Sequence, residues 1–154
     1  MFNLFNQQFK SKLFNEKGFY RQYIKDLKYC QKELIIESPF ITNSRMEILI
    51  PVFKVLLNKK VKIKIITRDP SEHEEEIMRD QATNEILQCV DMGIRVNLIT
   101  GHHHRKISII DKTIAWEGSL NILSFSNSRE FMRRIEGKNE TLKILKFIKL
   151  SNLK

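Results

Sequence analysis

Residues 104–121 read HRKISIIDKTIAWEGSLN. His104 is followed by Lys106, Asp111, Gly118, Ser119 and Asn121, an ungapped H-x-K-x4-D-x6-G-S-x-N pattern. These groups suit a phosphodiester. A neutral imidazole is nucleophilic near neutral pH. A lysine ammonium is a point charge for phosphate oxygens. Ser119 and Asn121 offer hydrogen bonds to oxygens whose charge grows in the transition state. No set of closely spaced carboxylates accompanies them, which argues against two-metal chemistry.

The segment that must position these groups reads as a β-hairpin. Residues 106–110 are apolar and β-branched enough for a strand. Side chains two apart on a strand share a face, so His104 and Lys106 project together while Ile107 and Ile109 point into a core. Asp111-Lys112 is the expected turn, although it lacks the usual glycine, and 113–117 returns. Pairing Ile110 with Thr113 sets His104 opposite Ser119, with Asn121 on the same parity.

This motif resembles the signature of the phospholipase D superfamily, which includes phospholipases, phosphatidyl transferases and nucleases. Glu130, in SFSNSREFMRR, resembles the acidic residue that follows the motif in that family. The preceding order of ELIIESPF, VKIKIITR and GIRVNLIT also fits. The wording IIDKTIAWEGSLNILS, followed by EFMRR, looks most like bacterial nuclease-type members, including modules attached to helicases. The looser resemblance spans residues 33–135.

The chain of 154 residues is long enough for a sizeable core and is expected to form one domain over 1–154. Its net charge of +9 favours a polyanion such as nucleic acid or an anionic membrane surface. Cys30 and Cys89 fall in helix-like stretches and read as buried apolar residues, and there is no C-x-x-C or zinc spacing. The N-terminus lacks an apolar run long enough for a signal peptide or a membrane span, so a cytoplasmic protein is expected.

Periodicity predicts helices over 16–31, 45–58, 72–92 and 141–150, and strands over 33–40, 61–68, 94–100 and 128–135. Asn43 or Ser44 is expected to cap the second helix, and Pro51 to kink or delay it. Ser38 and Phe40, at a strand's carboxyl end, border a possible pocket. Lys59, Lys60, Lys62 and Lys64 form a basic run that either tracks a nucleic-acid backbone or solvates a sheet edge. Arg129, Arg133 and Arg134 add charge near the motif. His73 is expected on the surface. Of His102, His103 and His104 only the first and last share a strand face, so no metal site is expected. The last helix should turn Leu142, Leu145, Phe147 and Ile148 one way and Lys143, Lys146 and Lys149 mostly the other.

The resemblance implies an α/β/α sandwich with a mixed β-sheet, and two motif copies meeting in one active site. One copy is present, so a homodimer across the motif face should supply the second. The resemblance further implies that one His104 attacks phosphorus while the other serves as acid and then base. Lys106 and Asn121 would hold non-bridging oxygens, Ser119 would hydrogen-bond beside them, and Glu130 would orient the imidazole. Gly118 is expected to be structural, and Asp111 to stabilise the turn. No cofactor is implied. The function expected is a metal-independent nuclease, with DNA favoured over RNA, weak sequence specificity and nucleic-acid contacts from Lys59, Lys60, Arg129 and Arg133. The alternatives are a phospholipase or phosphatidyl transferase, and a non-catalytic nucleic-acid-binding subunit of a repair or defence complex.

Overall fold

A computed structural model describes residues 9–151, with side chains through Lys149. The first eight residues of the N-terminal stretch lie outside the described residues. Seven strands form one mixed sheet: β1 (Lys10–Asn15), β2 (Glu33–Glu37), β3 (Lys62–Arg68), β4 (Arg95–Ile99), β5 (Ile107–Ile110), β6 (Ile114–Gly118) and β7 (Phe131–Glu136). Their spatial order is β1-β7-β6-β5-β2-β3-β4. β2, β3 and β4 run parallel, and the remaining pairs are antiparallel.

Four helices cover the sheet: α1 (Glu16–Lys28), α2 (Asn43–Asn58), α3 (Glu76–Asp91) and α4 (Lys138–Ser151). Alternation along the strands divides the core in two. Leu34, Ile36, Ile63, Ile65, Ile110, Trp116 and Met132 face α1, α2 and α3. Ile66, Ile107, Ile109, Ala115 and Ile135 face Leu145 and Ile148 of α4. The result is the α/β/α sandwich with a mixed sheet. Fully burying a side chain such as Trp116, Phe53 or Leu34 contributes roughly 1.5–3 kcal/mol each.

Several local expectations are corrected. The cap of α2 is Thr42, not Asn43 or Ser44, and its hydroxyl accepts from the Phe125 amide at 3.0 Å rather than from its own helix. Pro51 sits inside a helix that begins early, at Asn43. The stretch before α3 contains a separate 3-10 turn, Pro70–Glu72, which leaves His73 buried against Phe40 rather than on the surface. β7 begins three residues later than expected, leaving 128–130 in a loop, and α4 begins at Lys138. Phe147 is exposed, off the apolar side formed by Leu145 and Ile148. β3 is internal, because β4 is the edge strand. β1 was not anticipated. It is a mostly exposed edge strand paired antiparallel with β7.

Candidate active site

The motif hairpin is β5 and β6, but its register differs by one residue from the sequence expectation. Ile110 pairs with Ile114, and Ile107 with Glu117. Asp111 and Lys112 both adopt left-handed conformations (φ 51° and 56°), and the Thr113 amide donates to Ile110 O at 3.0 Å. The mirror-image turn normally recruits glycine. Here the Asp111 carboxylate compensates by accepting from three amides of the segment before β2, those of Gln31 (2.8 Å), Lys32 (2.8 Å) and Glu33 (3.0 Å). Burial alone would raise its pKa, but these hydrogen bonds prevail and hold the carboxyl below its ordinary range. Asp111 therefore fastens the far end of the hairpin to the neighbouring strand.

The ladder stops at Ile107 and Glu117, so His104 and Lys106 meet outside regular strand geometry. Lys106 Nζ lies 2.8 Å from His104 Nδ1 and donates to His104 O at 2.8 Å. The lysine is 7% exposed, whereas the His104 ring stands exposed at the mouth. Loss of water raises the cost of charging Lys106. Glu130 partly offsets this, Arg68 adds to it, and the pKa falls below the ordinary lysine value. His104 is also held below its ordinary value, first by desolvation and then by Lys106, Arg68 and His103.

This end of the sheet is built from the carboxyl ends of β2 and β3. Arg68, the last residue of β3, donates to His103 O from Nε (3.3 Å) and Nη2 (2.8 Å). Its guanidinium lies 4.8 Å from the centre of the Phe40 ring, which meets the His104 ring edge-on at 6.4 Å. Phe40 thus borders the site as expected. Ser38 does not: it is fully buried, and its hydroxyl accepts from the Leu123 amide at 3.3 Å. Glu37, buried at the end of β2, accepts from Arg105 Nε at 2.7 Å and lies 3.0 Å from His103 Nε2. His103 is buried and His102 is exposed with a φ of 57°, so the three histidines diverge.

Of the remaining motif residues, Gly118 lines the same depression as His104 and Lys106. Gly118 is sterically required: a Cβ there would run into Phe131 O and stand 2.9 Å from Met132 Cα. Ser119 is held by β7, its hydroxyl accepting from the Phe131 amide at 3.1 Å. Tyr20 donates its hydroxyl hydrogen bond to the Ile122 carbonyl at 2.9 Å and lies 3.2 Å from that of Asn121. Asn121 Oδ1 is buried without a partner among the described residues. Glu130 accepts from Ser128 Oγ at 2.6 Å, and its charge acts on Lys106. The structure does not place Glu130 in hydrogen-bond contact with His104.

Of the basic residues, Arg133 lines an open depression of about 710 Å³ together with His104, Lys106, Gly118 and Phe131, and it pairs with Glu117. Arg129 is exposed on the loop before β7. Arg134 instead binds Asp26 at 2.8 Å beneath Trp116. Lys59 and Lys60 lie at the amino end of β3, with Lys59 Nζ bonded to Lys28 O at 3.1 Å. A seven-residue strand separates them from Arg68 and the site, about 20 Å. Arg68 and Arg45 were missed at the sequence level. For Arg68 the available signal was a cation closing a strand whose carboxyl end faces the site.

An exposed imidazole of lowered pKa, adjacent cations and an open depression thus meet at one end of an α/β/α sandwich. The chain belongs to the family described as "Cardiolipin synthase, PLD-like domain", whose model matches residues 23–149, and hence to the phospholipase D superfamily. The fold is that of NucT from Helicobacter pylori (TM-score 0.71, 19% identity, covering 91% of this chain and 93% of that one). It is likewise similar to Nuc from Salmonella typhimurium, a phospholipase D family member (TM-score 0.71, 14% identity, 91% of each chain). Phosphatidylserine synthase from Haemophilus influenzae Rd KW20 superimposes with a TM-score of 0.72 at 15% identity, over 96% of this chain but 39% of that one. No curated protein sequence matches the chain significantly. Among the described residues no helix is long and apolar enough to cross a membrane.

Proposed function

We propose that this protein is a metal-independent phosphodiesterase, and that it is a nuclease acting on DNA in preference to RNA. The observation that carries this reading is the His104–Lys106 pair. An accessible imidazole whose basicity is held low stands 2.8 Å from a buried ammonium, with Arg68 beside both. A neutral imidazole beside fixed positive charge is suited to attack an anionic diester, because the cations offset the repulsion between nucleophile and phosphate.

In the proposed reaction, His104 forms a nitrogen–phosphorus bond as the bond to the leaving oxygen breaks. The partner's His104 donates a proton to that oxygen. It then takes a proton from water as water attacks the phosphohistidine, which releases His104 and the second product. Lys106 turns from the His104 ring to the non-bridging oxygens, and Asn121 adds a hydrogen bond there. Ser119, fixed to β7, shapes the same wall. Glu130 acts on Lys106 electrostatically and becomes available to the imidazole once substrate draws Lys106 away.

The second motif of the proposed site is supplied by a partner chain, as residues 1–154 hold one copy. Exposed Leu13 and Phe131, beside the His104 depression, supply apolar surface for a two-fold contact. The net charge of +9 supports a polyanionic substrate. A cytoplasmic location and weak sequence specificity belong to the same reading. The deciding assay compares labelled DNA with phospholipid vesicles in excess EDTA. DNA cleavage supports the reading. Release of a phospholipid headgroup without DNA cleavage overturns it in favour of a lipid enzyme.

A further inference from the structure

A second basic cavity lies beside the motif, walled by the loop that joins β6 to β7. It encloses about 500 Å³ and is lined in part by Lys17, Tyr20, Arg45, Phe125, Ser126 and Arg129. Its floor is unusual. Arg45 is 7% exposed, and its buried Nε has no hydrogen-bond partner among the described residues. The group lies over the Tyr20 ring, 3.3 Å from its centre. Such stacking offsets only part of what desolvating an ion costs. An arginine stays charged even when burial lowers its pKa, as it does here. Arg45 also sits in the first turn of α2, where the helix dipole disfavours a cation. Arg45 therefore lacks a paired negative charge among the described residues. Glu16 is the acidic group of the cavity wall, and its carboxylate is directed to the Glu130 amide at 3.3 Å.

We infer that this cavity is a subsite for a flanking phosphate of a bound polynucleotide strand, with Arg45 as its principal ligand. The inference rests on the nuclease reading and deepens it. A planar guanidinium at the bottom, Lys17 and Arg129 exposed at the rim and serine hydroxyls on the wall match phosphate oxygens. Phe125, 59% exposed and 5.6 Å from the Arg45 guanidinium, stands where the adjoining base stacks. The same loop connects the two sites. Asn121 lies near its start, Glu130 ends it, and Ser126, Ser128 and Glu130 form a hydrogen-bonded chain at 2.9 and 2.6 Å. A simple phospholipid carries one phosphate at the reacting centre, whereas a polynucleotide repeats it and so fills a second cationic pocket.

The test measures binding of a short single-stranded oligodeoxynucleotide over a range of salt, and hydrolysis of bis(p-nitrophenyl) phosphate, which has no flanking phosphate. Arg45→Met should weaken oligonucleotide binding about tenfold and reduce the salt slope by about 0.7, one phosphate's worth on a single strand. Hydrolysis of the small diester should be unchanged. Unaltered oligonucleotide binding would overturn the subsite and leave the nuclease reading standing. Equal losses on both compounds would overturn it too, by assigning Arg45 to the fold. Wild-type protein that hydrolyses the small diester yet binds no oligonucleotide would remove the nuclease reading and the subsite together. If Arg45→Met does not fold, the exposed rim pair Lys17→Gln with Arg129→Gln replaces it, and an unchanged salt slope there is the contradicting result.

Discussion

Lys106 Nζ touches both the Nδ1 and the carbonyl oxygen of His104, each at 2.8 Å. The first two motif residues are therefore bonded to each other. A charged Lys106 must be the donor, which makes Nδ1 the acceptor and leaves the ring proton on Nε2. In the proposed reaction a substrate phosphate would compete for the same ammonium, freeing Nδ1 and letting the proton change nitrogens before attack.

Lys106→Ala should reduce turnover by about a hundredfold or more, the usual loss when one transition-state donor is removed. Steady-state rates on DNA and on a small diester should fall alike, because the donor serves the reacting phosphate. A near-normal rate would show that the buried ammonium only packs against the hairpin.

The pH profile should be bell-shaped, with its optimum below about pH 6.5, the ordinary histidine value. One His104 must be neutral to attack, so rate falls as acid protonates it. The partner's His104 must carry a proton, so rate falls again as base removes it. Both share a pKa lowered by desolvation, Lys106 and Arg68, and the two flanks belong to the pair rather than to either ring. Arg68→Gln removes one of these cations and should shift the whole profile to higher pH. An unmoved profile would disconnect Arg68 from the imidazole.

Asp111→Asn should cost on the order of 1–3 kcal/mol of stability, because an amide cannot replace both oxygens that accept the Gln31, Lys32 and Glu33 amides. The folded-state pKa of Asp111 is depressed. Its stabilisation is therefore present above the unfolded value of about 3.9 and lost as pH falls through the folded one. Denaturant melts at neutral pH and in acid should show the difference between wild type and variant shrinking in acid. Specific activity of folded variant should be unaffected.

How much of this was legible in the sequence follows from where local pattern decides structure. The buried strands announced themselves because Leu34, Ile36, Ile63 and Ile65 alternate with residues of the other face. β1 did not, because an edge strand with most side chains in solvent carries no apolar period. The hairpin register slipped by one because Asp111 and Lys112 accept positive φ without glycine, through contacts distant in sequence. The meeting of His104 and Lys106 was legible from their spacing. The Glu130 contact was not, because it depends on a loop whose partners are Ser128 and Glu16. Arg68 and Arg45 come from distant strands and helices and have no local signature.

Activity per protomer should fall on dilution through the dimer dissociation constant, because in the proposed reaction each site uses the partner's His104. Sedimentation measured over the same concentrations should show dimers giving way to monomers as activity is lost. Monomers with full specific activity would contradict the shared site.

The central claim is that His104 performs phosphodiester cleavage without a metal. It is tested most directly by incubating labelled single- and double-stranded DNA with wild type and His104→Ala in excess EDTA, after circular dichroism has shown both to be folded. The account predicts cleavage by wild type and none by the variant. Cleavage by His104→Ala at a wild-type rate, or cleavage by wild type that EDTA abolishes, would contradict it.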